Sequence, residues 1–256
     1  MVIHCPEFGT RYNRRISDLS FDAILQLATI LVVIIYFRKD ILVLIKAFCD
    51  LILRKQVEVK DKILIYAIII GTIPATIAGL FLENYMETIF RSALLVSIVL
   101  IFGSVVMYCA EKVNARFRRT SLSSDQGVRE DKALTIKDGL IVGLFQCLAL
   151  VPGFSRSGAT ISGGLFCGLN REDAAKFSFL LSVPIILGSG GKKFFDLIKD
   201  GAVSTDLLNL FAGFVAAFVV GYFVINFLMK YLKRNSLNIF IWYRIILAIV
   251  VLVVLL

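Results

Sequence analysis

The chain of 256 residues is 58% hydrophobic and only 18% charged, and its formal net charge is +9. A soluble domain usually carries about a quarter charged residues, so this composition favours a membrane protein over a soluble one. Because the basic residues lie between apolar runs and no motif that recognises DNA or RNA is present, the charge indicates membrane topology and excludes a nucleic-acid partner. The single histidine, His4, excludes a zinc site built on several histidines, and the cysteines show no metal-ligand spacing.

The first half of the chain predicts a leader followed by three membrane spans. Residues 1–20 are polar and basic, whereas the apolar run 21–37 is long and lacks a small-residue cleavage site, which indicates a retained span rather than a signal peptide. Residues 40–53 are apolar with interspersed charge, and we expect them to continue as a helix near the membrane interface. Residues 63–82 and 92–110 each supply about the 20 apolar residues that a bilayer core requires.

A charged, serine-containing segment at 112–134 indicates an exposed linker between the two halves of the chain. We expect it to separate a first membrane repeat, residues 21–111, from a second one, residues 135–256. Three further spans are predicted at 173–191, 207–229 and 237–256. The fold class is therefore an all-α integral membrane protein with about six transmembrane helices and a re-entrant helical hairpin at 139–168.

The distribution of basic residues predicts the orientation of the loops. The loop 38–62 and the linker 112–134 are rich in Lys and Arg, and two spans separate them, so both are expected on the cytoplasmic side. If residues 139–168 enter and leave the membrane on that side, the basic turn 230–234 is cytoplasmic as well. The loop 192–206 then faces outward, and its lysines are the weakest point of this prediction.

Two pairs of segments resemble each other and suggest an internal repeat. Residues 71–79 resemble residues 213–221, and residues 24–34 resemble residues 177–187. On the predicted orientation the two copies enter the membrane from opposite sides. This inverted topology is known from transporters whose central sites are built of broken helices, and here the first copy would be incomplete. The alternative is that any two apolar helices look alike.

Residues 139–168 are apolar at both ends and polar in the middle, which predicts the re-entrant hairpin. Pro152 and Gly153 end the first arm, and polar residues follow at once. Non-helical backbone at membrane depth persists only where it lines a protein-walled or water-filled cavity. Arg156 would be the fixed positive charge of that cavity, since an arginine near the bilayer centre costs roughly 2.5–3.5 kcal/mol and usually marks a function. The alternative is an arginine that extends to the interface from a glycine-rich packing helix.

The residues around the break favour an anion with several oxygen atoms as the ligand. The guanidinium of Arg156 offers donors in a planar fork that matches phosphate. Hydroxyl groups of Ser155, Ser157 and Thr160 add neutral donors, and a helix that begins there adds free backbone N–H groups and the positive end of its dipole. Gln146 precedes the break and cannot act as a base. An interhelical hydrogen bond explains this glutamine as well as a substrate contact does.

The segment Pro152–Thr160 has the pattern Pro-Gly-x-Ser-Arg-Ser-Gly-x-Thr, and it resembles the second signature of the undecaprenyl-diphosphate phosphatase family, membrane enzymes associated with bacitracin resistance. The segments Phe21–Ile34, Gly71–Ser92, Gly143–Gln146 and Phe177–Gly188 are also similar to this family. The resemblance covers nearly the whole chain from Phe21 onward.

The resemblance implies hydrolysis of undecaprenyl diphosphate, a lipid diphosphate, to the monophosphate and inorganic phosphate at the outer leaflet of a bacterial inner membrane. This reaction recycles the lipid carrier of cell-wall synthesis. The implied site consists of the catalytic residues Arg156 and Ser157 and of the substrate-binding residues Gln146, Gly153, Ser155, Arg156, Gly158 and Thr160. A rival interpretation is a transporter or flippase of lipid phosphates that uses the same repeat and anion site. A third is an inactive, truncated family member.

The family's first signature, a Glu-bearing helix followed by a Ser-Ser-Thr-Gly-His-like loop, has no match in residues 1–20. Diphosphate hydrolysis needs a group that activates or supplies a nucleophile, and Ser157 could be that nucleophile only with a base that the second half does not offer. A divalent cation, Mg²⁺ or Ca²⁺, would normally lie between substrate phosphates and a carboxylate, but its protein ligands are unknown. We therefore expect the chain to be impaired alone, or to form a homodimer in which a second copy fills the gap.

Overall fold

The structure is a computed structural model that describes residues 24–88, 92–121, 132–199 and 207–255. Within these ranges the chain forms nine α-helices and no β-strand. The helices are α1 (Ile24–Tyr36), α2 (Arg38–Ile52), α3 (Val59–Thr88), α4 (Ala93–Ser121), α5 (Ile136–Leu148), α6 (Arg156–Phe166), α7 (Arg171–Lys199), α8 (Leu207–Leu232) and α9 (Asn238–Leu255). The predicted all-α class is confirmed.

Five of the described helices are long and apolar enough to cross a membrane. Their spanning segments are Val59–Leu82, Ala93–Phe117, Arg171–Gly191, Leu210–Leu232 and Asn238–Leu255, and they correspond to the last five predicted spans. The first predicted span, 21–37, corresponds to the shorter apolar helix α1, and its residues 21–23 lie outside the described ranges. The interfacial segment predicted at 40–53 is helical and forms α2.

The outward faces of the spanning helices are covered by large apolar side chains. Exposed examples are Phe102, Phe211, Phe223, Trp242, Ile246 and Val254. A soluble protein rarely exposes apolar patches of this extent to water. Patches of this size usually indicate a surface that contacts a partner or a membrane. In a bilayer the surrounding solvent is as apolar as these side chains, so lipid is the environment that this surface fits.

The described residues pack into two compact units. One contains the described residues of 1–38 and 182–227, and the other contains the described residues of 39–181 and 228–256. In the first unit, Val32 of α1 packs against Gly221 of α8, and the ring of Tyr36 meets that of Tyr222 edge-on at 5.9 Å. Neither unit coincides with a predicted membrane repeat, and the repeat itself stays a prediction.

The core of the second unit lies where α3, α5 and α7 meet. Ala67 of α3, Val142 of α5, and Phe177 and Leu181 of α7 are all buried there. In lipid the packing of apolar helices gains little from the hydrophobic effect, so close contact between surfaces has to supply the attraction. The residues that allow this contact are therefore the ones on which the arrangement of α5 depends.

Small residues bring α3 and α5 into backbone contact. A Cβ atom built at Gly71 of α3 would lie 2.6 Å from the carbonyl oxygen of Gly139 on α5. A Cβ atom at Gly139 would lie 2.6 Å from the Cα atom of Ala67, and one at Gly143 would overlap the backbone of Gly71. The spacing of four residues on each helix is the small-xxx-small pattern of membrane helix pairs. The first arm of the hairpin is thus fixed against α3.

Helix α4 extends to Ser121 and includes the first part of the segment predicted as an exposed linker. Glu111, at the predicted boundary, is buried. Its carboxylate accepts hydrogen bonds from the guanidinium of Arg171 on α7 and from the backbone N–H of Leu237, the latter at 2.8 Å. A carboxylate with these partners tolerates burial, which is why an acidic residue here does not mark exposed chain. Residues 122–131 of the linker lie outside the described ranges, and their cytoplasmic position stays a prediction.

Candidate active site

The hairpin consists of α5, a connection at residues 149–155, and α6. Its two helices pack closely at Gly163 of α6, where a Cβ atom would lie 3.1 Å from the Cβ atom of Phe145 and 3.2 Å from the Cα atom of Val142. Helix α5 begins with a capping box in which the Thr135 and Asp138 side chains exchange hydrogen bonds with each other's backbone N–H groups. The helix–break–helix pattern predicted over residues 139–168 is present.

The connection between the two helices has an unusual backbone. Gly153 and Ser155 both adopt positive φ, at 95° and 74°. Glycine accepts such an angle without strain, and at this position a Cβ atom would also lie 2.6 Å from the carbonyl oxygen of Val96 on α4. A serine with positive φ is costly and persists only where its surroundings determine the conformation. Phe154, between the two, is buried and meets the ring of Phe102 edge-on at 6.0 Å.

The N-terminus of α6 presents a set of hydrogen-bond donors that have no partner in the described part of the chain. Ser155 is the N-cap, and its hydroxyl oxygen accepts the N–H of Gly158 at 3.2 Å. The backbone N–H groups of Arg156 and Ser157 have no acceptor among the described residues. The Arg156 side chain is exposed and likewise has no hydrogen bond or ion pair within the described ranges. A guanidinium, two N–H groups and the positive end of a helix dipole are thus supplied by the first two residues of α6, which is a set of groups that can bind an anion.

The C-terminus of α6 is the opposite case, because its carbonyl groups are satisfied. The Nδ2 atom of Asn114 donates to the carbonyl oxygen of Leu169 at 2.7 Å and more weakly to that of Leu165 at 3.3 Å. The ammonium of Lys132 donates to the carbonyl oxygen of Cys167 at 2.6 Å. A cation here also complements the negative end of the helix dipole. Among the described residues, no comparable side-chain contact closes off the N–H groups of Arg156 and Ser157 at the N-terminal end of α6.

Thr160 occupies a different position from the other hydroxyl residues of the motif. Its side chain is buried, and its hydroxyl group lies 2.8 Å from the carbonyl oxygen of Arg156 and 2.5 Å from the hydroxyl oxygen of Ser178 on α7. It therefore joins α6 to α7. The structure brings Ser155, Arg156, Ser157 and Gly158 together at the helix N-terminus, and it directs the Thr160 side chain into the helix packing.

Gln146 is buried in the last turn of α5 and is only 2% exposed. Neither its amide nitrogen nor its amide oxygen has a hydrogen-bond partner in the described part of the chain. An unpaired buried polar group costs about 1–3 kcal/mol, and natural proteins rarely retain one without a reason. The interhelical hydrogen bond that the sequence left open as an explanation is not formed among these residues. A ligand, an ordered water or a residue outside the described ranges is the remaining partner.

Arg244 of α9 contacts the connection between α5 and α6. The sequence interpretation did not identify this arginine. One terminal nitrogen of its guanidinium donates to the carbonyl oxygen of Gly153 at 2.9 Å, and its Nε atom donates to the hydroxyl oxygen of Ser104 at 3.2 Å. A signal was available, since Arg244 is the single charged residue in the sequence Asn238–Leu255. An ionisable residue inside a spanning segment is a functional candidate by default.

Comparison with known proteins agrees with the motif. The model of the family described as bacitracin resistance protein BacA matches residues 4–250. An undecaprenyl-diphosphatase of Mycolicibacterium vanbaalenii is 41% identical to this chain, with 92% of this chain and 82% of that protein covered. Proteins of the same name from Elusimicrobium minutum and Methanosphaera stadtmanae are each 39% identical. These two matches cover 92% and 93% of this chain, and 83% and 84% of the relatives.

The chain belongs to the BacA family. The resemblance found in the sequence is thereby confirmed. The family match also includes most of the segment predicted as a leader, residues 1–20, all of which lies outside the described ranges. The expected lack of the first signature, and the homodimer expected from it, stay predictions.

The BacA-family site described above does not by itself fit a metal ion. Its groups are a guanidinium, N–H donors and hydroxyl groups, and these suit an anion. Within the described residues no group of three or more His, Cys, Asp or Glu side chains is placed to hold a metal. The predicted Mg²⁺ or Ca²⁺ stays a proposal, and its oxygen ligands would have to come from the substrate or from residues outside the described ranges.

Acid is expected to destabilise the start of the BacA-family hairpin. Burial alone would raise the pKa of Asp138, but hydrogen bonds from Lys132 and Thr135 lower it, and the net pKa lies below the ordinary 3.8. The stabilisation from the Asp138 carboxylate is therefore complete when the pH lies above the pKa of Asp138 in the unfolded chain. It is lost as the pH falls through the lower pKa of Asp138 in the folded protein. Thermal unfolding in detergent, measured from about pH 6 down to about pH 3, should show this loss. Asp138→Asn should have a lower thermal midpoint than the wild type at neutral pH, and its midpoint should change less as the pH falls. If the midpoints of both proteins fall in parallel with pH, the assignment to Asp138 is wrong.

Proposed function

We propose that this chain hydrolyses undecaprenyl diphosphate to undecaprenyl phosphate and inorganic phosphate. It is a multi-pass hydrolase of the bacterial inner membrane that acts on a phosphoric anhydride. The reaction recycles the lipid carrier of peptidoglycan synthesis, and it agrees with the bacitracin resistance that gives the family its name. The observation that supports the site is the exposed guanidinium of Arg156 together with two backbone N–H groups at the N-terminus of α6, none of which has a partner among the described residues.

These groups match the chemistry of a diphosphate. A planar guanidinium can donate to two phosphoryl oxygens at once, which a single ammonium cannot do with the same geometry. The free N–H groups of Arg156 and Ser157 supply two further donors in fixed positions. Such donors stabilise the negative charge that is redistributed when the phosphoric anhydride bond breaks, and they need no reorganisation during the reaction.

We assign the catalytic roles to Arg156 and Ser157. The Ser157 hydroxyl has no partner among the described residues, so it can donate to a phosphoryl oxygen, or attack phosphorus if a base removes its proton. Gly153, Ser155 and Gly158 contribute the backbone shape of the site.

Gln146 and Thr160 complete the proposed substrate-binding set by different routes. The unpaired amide of Gln146 offers both a donor and an acceptor to the substrate or to a water bound with it. Thr160 acts indirectly, because its hydroxyl group fixes α6 to α7 through Ser178.

Release of inorganic phosphate is the direct test of the proposed function. The full chain, purified in detergent, should release phosphate from undecaprenyl diphosphate and leave undecaprenyl phosphate as the lipid product. A preparation inactivated by heat serves as the control for spontaneous hydrolysis. Transfer of the intact lipid diphosphate across vesicle bilayers without phosphate release would instead support the transporter interpretation.

Gln146→Met is expected to separate a substrate contact from a structural one. Replacing an unpaired buried amide by an apolar side chain of similar size should leave stability unchanged or raise it, because no polar group remains unsatisfied. A lost hydrogen bond to a charged ligand costs about 1.5–3 kcal/mol, so kcat/KM should fall roughly tenfold or more.

The measurements for Gln146→Met are phosphate release and the thermal midpoint. Leu148→Met, an exposed residue of the same helix, is the matched control and should change neither quantity. Lower stability with unchanged turnover would assign Gln146 to the packing of α5 instead.

A further inference from the structure

Arg244 is a buried cation inside a spanning helix. It lies about 9 Å from the start of α9 and is only 7% exposed. Among the described residues no Asp or Glu forms an ion pair with it. Its partners are instead neutral oxygens, namely the Ser104 hydroxyl and the carbonyl oxygens of Gly153 and Leu100. An arginine in a membrane span is costly, so these contacts need an explanation beyond helix packing.

A glycine on α4 makes room for the guanidinium. A Cβ atom at Gly103 would lie 2.5 Å from the Nη2 atom of Arg244 and 3.1 Å from the carbonyl oxygen of Phe154. Any side chain at this position would therefore displace the same nitrogen that donates to Gly153. Ser104, the next residue of α4, is fully buried and donates its own hydroxyl hydrogen to Leu100, which leaves its oxygen free to accept from Arg244.

We infer that Arg244 is a positioning residue for the proposed phosphatase reaction, which acts by holding the connection through the carbonyl oxygen of Gly153. The inference rests on the proposed function. Gly153 lies between α4, whose Val96 carbonyl is close behind it, and the guanidinium of α9. Ser155, two residues later, has a strained positive φ that only fixed surroundings maintain. Arg156 follows at once, so a shift of Gly153 moves the guanidinium that binds the diphosphate.

Two substitutions at Arg244 remove these contacts to different extents. Lysine keeps the charge but cannot bond to Ser104 and to Gly153 from one planar fork, whereas methionine removes both bonds. A misplacement of about 1 Å at a reacting centre can cost roughly 100-fold in rate. We expect kcat per folded molecule to fall about tenfold for Arg244→Lys and about 100-fold for Arg244→Met, with KM changed by less than about threefold.

Gly103→Ala gives a second, milder test in which Arg244 itself is not substituted. In the wild-type background the added methyl group should displace the guanidinium and lower kcat about tenfold. In the Arg244→Met background the same methyl group meets no guanidinium and only the Phe154 carbonyl oxygen, at 3.1 Å, stays close, so the further loss should be much smaller than in the wild-type background. This non-additivity is what a double-mutant cycle measures for two groups in contact. Gly79→Ala is the matched control, because its Cβ atom would meet only Leu150, at 3.9 Å.

The outcomes separate this inference from the proposed function. If the wild-type chain releases no phosphate, the proposed function fails. If the wild type is active and Arg244→Met keeps kcat within about twofold, Arg244 is a packing residue and the inference is wrong. Losses from Gly103→Ala and Arg244→Met that multiply would also overturn it, because Gly103 would then act independently. If Arg244→Met does not fold, the kcat and KM of Gly103→Ala against Gly79→Ala decide, and equal values would refute the positioning role.

Discussion

Arg156→Lys is expected to lower kcat/KM for undecaprenyl diphosphate by roughly 100-fold or more. Removing one fixed donor from a site that stabilises developing negative charge typically costs about 100- to 1,000-fold, and lysine cannot replace a two-point contact with phosphate. The folded protein should be unaffected, because the Arg156 side chain is exposed and has no partner among the described residues. Phosphate release and the thermal midpoint in the same detergent are the two measurements.

The matched control for this substitution is Arg38→Lys. Arg38 is also an exposed arginine at the first position of a helix, but it lies at the start of α2 and not in the hairpin. Its replacement should leave both turnover and stability as they are. If Arg156→Lys behaves like this control, Arg156 is an arginine that extends toward the interface, and the anion site at the N-terminus of α6 has been wrongly assigned.

The sequence predicted the features that depend on local composition. Five spans followed from runs of about 20 apolar residues, and the structure shifts their ends by four positions or fewer, except for the span predicted at 92–110, which extends to Phe117. The break of the hairpin followed from Pro152 and Gly153, since neither residue continues a helix readily. The second arm was predicted to open as a helix at Ser157–Thr160, and the structure begins it slightly earlier, at Arg156 with Ser155 as the N-cap.

Features that depend on contacts between distant residues could not be predicted in this way. The linker was predicted to begin directly after Glu111, but α4 continues past it to Ser121, and Arg171 on α7 supplies a partner for the buried Glu111 carboxylate. Thr160 looked like a substrate donor, and only the packing of α7 shows that its hydroxyl group meets Ser178. Arg244 was visible as a charge in an apolar run, yet nothing in the sequence indicates that it reaches Gly153.

The two ends of α6 differ in their hydrogen bonding, and this difference favours the N-terminal end as the proposed anion site. Asn114 and Lys132 satisfy carbonyl groups at its C-terminal end, while Ser155 accepts only one N–H group at the other end. The hairpin therefore presents the positive end of the α6 dipole next to Arg156. Among the described residues, only the Ser155 hydroxyl accepts an N–H group at this end. Because this end is fixed by α4 and α9 through Gly153, the site also depends on helices that are far away in sequence.

Gly71→Ala and Gly79→Ala are expected to change stability in opposite directions, although both add one methyl group to α3. At Gly71 the methyl group would lie 2.6 Å from the carbonyl oxygen of Gly139 and 3.1 Å from Leu181, so α3 and α5 would have to separate. Overpacking of this kind costs about 1–3 kcal/mol, which in a chain of this size corresponds to a fall of roughly 2–12 °C in the thermal midpoint. At Gly79 the nearest atom is 3.9 Å away, and alanine favours helix by about 1 kcal/mol.

Gly71→Leu extends the same argument to its limit, because a leucine cannot be accommodated between two backbones in contact. We expect it to yield no monodisperse protein by size-exclusion chromatography, whereas Gly79→Leu should still be recovered. Activity should follow the same order, since α5 carries Gln146 and leads directly into the connection and Arg156. Equal thermal midpoints for the two alanine variants would show that α3 and α5 are not in backbone contact. The hairpin would then be held chiefly by its contacts with α4 and α9, and Arg244 would gain in importance.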